Sequence, residues 1–214
     1  MQSPTLSSGP IEVERKFVPG PQVEDELLRL GAKLQNELTF RDSYYDTPDC
    51  RLTLGDVWLR RREDSWELKY PPQRGTRGLN GASTQYLELS CEADITRRVS
   101  EELNIPCPHS LDLLQLQEFA SFVTRRRRFE FPPRNGSKHK VVVDLDTADF
   151  DFSVGEVEVL VKTQEEVKSA LMEVEEICKQ LGVLSDSPVP GKMSTFLKIN
   201  RADHYKQLLE AHVL

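Results

Sequence analysis

Like charges spaced two residues apart constrain the fold of this chain more than any other feature. In "IEVERKF" (Ile11–Phe17), an extended strand sets Glu12, Glu14 and Lys16 on one face and Ile11, Val13, Arg15 and Phe17 on the other, because successive side chains point to opposite sides. The pattern recurs. "VWLRRRED" joins Trp58, Arg60 and Arg62, and "WELK" joins Glu67 and Lys69; "YLELS" contributes Glu88. "VTRRRR" joins Arg126 and Arg128, "VVVDLD" joins Asp144 and Asp146, and "GEVEVLV" joins Glu156 and Glu158. The opposite faces are apolar, with Val57, Leu59, Leu68, Leu87, Leu89, Val141, Val143, Leu145, Val157 and Val159 among them.

A sheet with one wet face accounts for any one of these strands. It accounts poorly for the set. Same-face neighbours on a strand lie about 7 Å apart, and at an effective dielectric of 20 two like charges at that distance repel by about 2 kcal/mol before screening. Folding has no need of this. Divalent cations would neutralise the carboxylates and a polyanion the arginines and lysines, so metal-bound polyphosphate is the simplest ligand that serves both. About eight strands with apolar outer faces close into a barrel wide enough for one small ligand. The expected fold is therefore α+β: a closed eight-stranded antiparallel β-barrel with a charged lumen and helices packed outside.

The other segments fit that frame. "VEDELLRLG" has helical spacing and stops at Gly31, "DITRRVSEEL" reads as a helix with Asp94 as its N-cap, and "LDLLQLQEF" reads as a short helix. Thr163 and Glu166 form a capping box ahead of the stripe Val167, Leu171, Val174, Cys178 and Leu181. Pro71 to Thr84 reads as a loop, Asn135-Gly136 as a hairpin turn. Residues 1–10 are expected to form a disordered tail, and 11–214 a single domain, which suits 214 residues at 38% hydrophobic content.

Lys plus Arg number 28 against 35 Asp plus Glu, and the net charge of -7 argues against a general nucleic-acid or anionic-membrane binder. The four cysteines and four histidines fall in no zinc-like spacing and give no disulfide framework. No leader-like segment and no long apolar run occurs, so a reduced, soluble, cytoplasmic protein is expected, most simply a monomer. "DLDTADFD" lacks EF-hand spacing, no P-loop motif is present, and strand parity splits Arg125–Arg128 between two faces.

Glu12, Glu14, Asp144, Asp146, Glu156 and Glu158 are hard oxygen donors suited to Mg²⁺, with Mn²⁺ as a substitute. Arg60 and Arg62 would fork phosphate oxygens, while Lys16, Lys69 and Lys192 would act as point charges. Such a lumen could hydrolyse a terminal phosphoryl group with an oriented water.

"IEVERKF" carries an E-x-E-x-K pattern. With "YYDTP", "WLRRRED", "WELK", "SFVTRRR", "VDLDTADF" and "GEVEVL" in order, the chain resembles the CYTH or triphosphate tunnel metalloenzyme family, and within it the animal thiamine-triphosphatases. The resemblance implies a metal-dependent tunnel enzyme that hydrolyses thiamine triphosphate to thiamine diphosphate and phosphate. It implies Glu12, Glu14, Asp144, Glu156 and Glu158 as metal ligands, with Asp146 and Glu88 as nearby acids. Lys16, Arg60, Arg62, Lys69, Arg126 and Lys192 would bind the triphosphate, and a Lys69/Tyr44 pair would act on the attacking water. Trp58, on the lumen parity, either stacks on the thiazolium ring or caps the barrel end as packing. An inorganic triphosphatase, a class IV-like adenylyl cyclase and a non-catalytic polyphosphate sensor are the rival readings.

Overall fold

A computed structural model of the chain describes residues 10–72, 83–132, 139–185 and 187–214. Eight strands form one closed antiparallel barrel: β1 (Ile11–Phe17), β2 (Lys33–Asp46), β3 (Trp58–Arg62), β4 (Ser65–Tyr70), β5 (Ser83–Leu89), β6 (Gln117–Glu130), β7 (Val141–Ala148) and β8 (Phe152–Val161). The order around the barrel is β1-β5-β4-β3-β2-β6-β7-β8, with β8 returning to β1. Among the described residues six α-helices accompany it: α1 (Val23–Arg29), α2 (Arg51–Leu54), α3 (Glu92–Leu103), α4 (Val167–Gln180), α5 (Lys192–Asn200) and α6 (Ala202–Glu210). Among the described residues no helix is long and apolar enough to cross a membrane.

The apolar strand faces point outward and are covered. Val13, Phe17, Val143, Val157 and Val159 pack against Val167, Ala170, Val174 and Ile177 of α4. A second cluster joins Leu59, Leu68 and Leu89 to Ile95, Val99 and Leu103 of α3. Each fully buried aliphatic contributes roughly 1.5–3 kcal/mol, so these covers make the inverted polarity of the barrel tolerable. The capping box forms, with the Glu166 carboxylate accepting the Thr163 N–H at 3.1 Å. Close closure of the barrel has a local requirement at the β1–β8 seam: a Cβ on Gly155 would stand 2.1 Å from the Phe17 ring.

Several expectations shift. Helix α3 is N-capped by Cys91, not Asp94, which lies in its first turn. "LDLLQLQEF" divides into a 3-10 turn, Leu111–Leu114, and the start of β6, because Gln117 and Glu118 pair with Asp46 and Tyr45 of β2. Ser83 and Thr84, expected in the loop, open β5. Arg15 points outward but is buried beneath α4, donating to the Ser185 carbonyl with Glu175 at 3.9 Å. The tail expectation, Pro10 apart, and the Asn135-Gly136 turn lie outside the described residues, as do residues 73–82 of the expected loop.

Candidate active site

Barrel closure gathers the charged strand faces around a cavity of about 850 Å³. Glu12, Glu14 and Lys16 reach it from β1, Trp58, Arg60 and Arg62 from β3, Glu67 and Lys69 from β4, Glu88 from β5, Arg126 and Arg128 from β6, and Glu156 and Glu158 from β8. Tyr44 reaches it from β2 and Lys192 from the first turn of α5. Asp144 and Asp146 do not line the wall. They lie behind it, 0% and 2% exposed, forked to the arginines of the neighbouring strand.

Those forks follow from register. Arg126 faces Asp146 and Arg128 faces Asp144 across the β6–β7 ladder, so each guanidinium meets a carboxylate in plane: Nε to Oδ1 at 2.7 Å for Arg126 and 2.8 Å for Arg128. Arg126 also reaches Asp144 at 2.5 Å and Glu156 at 3.5 Å. On the opposite side, Arg62 forks Asp42 at 2.8 and 3.0 Å, and Arg60 donates to Glu67 at 2.8 Å. Lys16 donates to Glu14, Lys69 to Glu12, and Lys192 to Asp146. The like charges along each strand are thus largely neutralised by opposite charges, mostly on the neighbouring strand, which corrects the expectation that a ligand alone could balance them.

The balance is incomplete on the acidic side. Burial pushes the Glu158 carboxyl up to about 8, and the neighbouring Glu12 and Asp144 add to this against Arg128 and Arg126. Burial also raises Glu88, with Glu12 adding to the effect against the pull of Lys69. Glu156 goes the other way: burial would raise it, but Lys192, Lys16 and Arg126 hold it well below the usual carboxylate range. Lys69 is opposed by burial yet held firmly as an ammonium by Glu12 and Glu14. A hard cation among Glu12, Glu158 and Asp144 would relieve the crowding of the three acids, so the donor set fits Mg²⁺ or Mn²⁺, which need only one or two carboxylates beside water and phosphate oxygens.

Another group of metal-capable side chains lies elsewhere. Asp46, Cys50 and His204 bring ligand atoms within 4.8 Å of one another, the one such group of three found among the described residues. Asp46 is already engaged, however. Its oxygens accept from the N–H groups of Thr47 at 2.7 Å, Leu52 at 2.9 Å and Thr53 at 2.9 Å, and from the Thr53 hydroxyl at 2.7 Å. Thr53 in turn meets His204 Nε2 at 2.8 Å. That network fastens α2 to α6, and the carboxylate has little left to offer an ion.

Strand parity found most of the wall but not all of it. Arg128, which parity sets beside Arg126, lines the wall without being among the expected site residues, and Asp42, on the parity of Tyr44, lies fully buried behind the wall in an ion pair with Arg62. The apolar side had no such signal: Met193, Tyr205, Val213 and Leu214, from α5, α6 and the segment after it, line the cavity and pack with Trp58 and Tyr44 in one cluster. Tyr44 stacks on Phe122 at 5.8 Å between centroids, whereas Tyr45 points away and meets Trp66. The cavity therefore has a charged side and an apolar side.

Comparison with known proteins agrees with this architecture. The model of the CYTH domain matches residues 10–191. The thiamine-triphosphatases of Homo sapiens and Macaca fascicularis are each 42% identical to the chain over 216 residues, covering 97% of it and 93% of the relative. Among solved structures, HpAC1 from Hippeastrum is 17% identical with a TM-score of 0.58, over 88% of this chain and 95% of that one. A Pyrococcus horikoshii protein is 20% identical with a TM-score of 0.52, over 81% and 92%. A family match across most of the chain, on a closed barrel whose lumen carries the charged motifs in register, establishes that this chain belongs to the CYTH domain family.

Proposed function

We propose that the protein is a Mg²⁺-dependent thiamine-triphosphatase, hydrolysing thiamine triphosphate to thiamine diphosphate and phosphate inside the barrel. The observation that carries this reading is the two-sided cavity: forked arginines and lysines beside surplus carboxylates on one side, and Trp58 with an apolar cluster on the other. The two thiamine-triphosphatase relatives at 42% identity support it. Bare tripolyphosphate would have no use for the apolar side.

Arg60, Arg62 and Arg126 would hold phosphate oxygens through paired N–H donors, with Lys16 and Lys192 as point charges. Glu12, Glu14, Glu156 and Glu158, with Asp144, Asp146 and Glu88 behind or beside them, would hold the metal, which when bound neutralises phosphoryl charge. Lys69, kept protonated by Glu12 and Glu14, suits a donor to a phosphate oxygen better than a base. Tyr44, near Arg60, would orient the attacking water with it. A cytoplasmic monomer acting on a small molecule, with no nucleic-acid or membrane partner, is consistent with the net charge of -7.

Phosphate release from thiamine triphosphate, tripolyphosphate and ATP, each with Mg²⁺ or with EDTA, tests the reading. Release from thiamine triphosphate above the other two, abolished by EDTA, is the expected result. Equal turnover of tripolyphosphate defeats the thiamine preference, and turnover in EDTA defeats the metal requirement.

A further inference from the structure

Asp56 is a charged wall residue outside both the phosphate-binding and the metal-binding set. Asp56 sits in the turn between α2 and β3 with φ +60, a left-handed conformation that Asp tolerates better than most residues. Its backbone N–H is tied to the Thr53 carbonyl at 3.0 Å. That turn aims the side chain along the cavity wall, where a single oxygen, Oδ1, accepts from two aromatic residues. Trp58 Nε1 donates at 2.8 Å and the Tyr86 hydroxyl at 3.0 Å. Trp58 comes from β3 and Tyr86 from β5, so the carboxylate ties together two non-adjacent staves of the barrel.

The consequence for a ligand is specific. With its N–H edge pinned, the indole cannot turn freely about its χ angles. The anion at that edge adds electron density to a ring face that already favours cations. Its charge stands at the Trp58 side of the cavity, held against the indole N–H and the Tyr86 hydroxyl. An anion there would repel a bare polyphosphate and attract a positively charged heteroaromatic ring. Resting on the thiamine-triphosphate reading above, we propose that Asp56 is the specificity-determining residue for the organic cation, holding Trp58 and Tyr86 in place and supplying the negative charge that the ring's positive charge meets.

The test separates charge from scaffolding. Asp56→Asn keeps an oxygen that can accept from Trp58 and Tyr86 but removes the charge; Asp56→Ala removes both. The expected result for Asp56→Asn is a KM for thiamine triphosphate raised about tenfold, the scale of one desolvated cation contact. Its kcat and its near-ultraviolet circular dichroism should stay unchanged, and its KM for tripolyphosphate should fall, because the repelling charge is gone. Asp56→Ala should add a changed aromatic dichroism and a larger KM for the organic substrate.

Binding supplies an independent arm. Thiamine diphosphate should bind the wild-type protein more tightly than pyrophosphate by calorimetry, and Asp56→Asn should narrow that gap. An Asp56→Asn variant that loses equally on both substrates, or on neither, overturns the proposal while leaving the thiamine-triphosphatase reading intact. A wild-type protein with no preference for the organic ligand in either assay overturns both.

Discussion

Replacing Arg126 with Met probes the electrostatic centre of the barrel. Arg126 is 7% exposed and is the shared partner of three acids: Asp146 through two bonds at 2.7 and 2.6 Å, Asp144 at 2.5 Å and Glu156 at 3.5 Å. Methionine keeps most of the volume and all of the flexibility of the stem but leaves those carboxylates to Arg128, Lys192 and Lys16. Removing one partner of a buried ion pair costs about 3–5 kcal/mol, because the desolvation penalty of the abandoned charge remains. For a chain of this size that is a fall in melting temperature of roughly 10 °C.

The pH dependence gives a sharper signature. Glu156 is depressed in the folded wild type by Lys192, Lys16 and Arg126, so it contributes stability above its unfolded pKa that is lost as pH falls through the folded value. The variant has less of that stability to lose. Urea denaturation in EDTA from pH 8 down to pH 2 should show the gap between wild type and Arg126→Met narrowing once the pH falls below the ordinary carboxylate range, and Mg²⁺ at pH 8 should recover more stability in the variant than in the wild type. A destabilisation below about 1 kcal/mol at pH 8, or a gap that stays constant down to pH 2, would refute the argument that Arg126 holds the acidic cluster together.

Other consequences are as definite. Glu158 keeps its proton up to about 8 in the folded protein and loses it near the ordinary carboxylate value when unfolded, so the folded state binds more protons between those points and stability falls as pH rises through that window. Glu158→Gln should flatten that slope in EDTA melts and be more stable than wild type at pH 9; an unchanged slope would contradict the assignment. Gly155→Ala should cost more than the usual 1–3 kcal/mol of overpacking, given the 2.1 Å approach to Phe17. Adding Phe17→Leu should recover part of the loss, and strict additivity would show that the two sites do not touch. Arg60→Ala should raise the KM of every triphosphate substrate, organic or not; an unchanged KM would remove Arg60 from the phosphate site.

Much of the barrel could be read from parity, since a period of two leaves no freedom about which side chains share a face. Glu12, Arg60, Arg126 and Glu158 reach one cavity for that reason. What parity cannot see is the neighbouring strand. Repulsion between Arg126 and Arg128 looked unrelieved along the chain, yet Asp146 and Asp144 stand directly across the ladder from them. Nor does it distinguish an outer face under a helix from one in water: Arg15 shares the outer face of β1 and is 6% exposed beneath α4. Local spacing misled at Leu111–Phe119, where pairing with β2 outweighed a helical pattern. The apolar wall from Met193, Tyr205, Val213 and Leu214 depends wholly on how α5 and α6 pack, which no short-range pattern encodes.

The central claim is that the charged lumen is a metal-assisted triphosphate site. Anomalous diffraction from crystals grown with Mn²⁺ and tripolyphosphate tests it most directly. The expected map has its metal peak inside the barrel among Glu12, Glu158 and their neighbours, with phosphate density against Arg60, Arg126 and Lys192. A metal peak confined to Asp46, Cys50 and His204, with no density in the lumen, would contradict it.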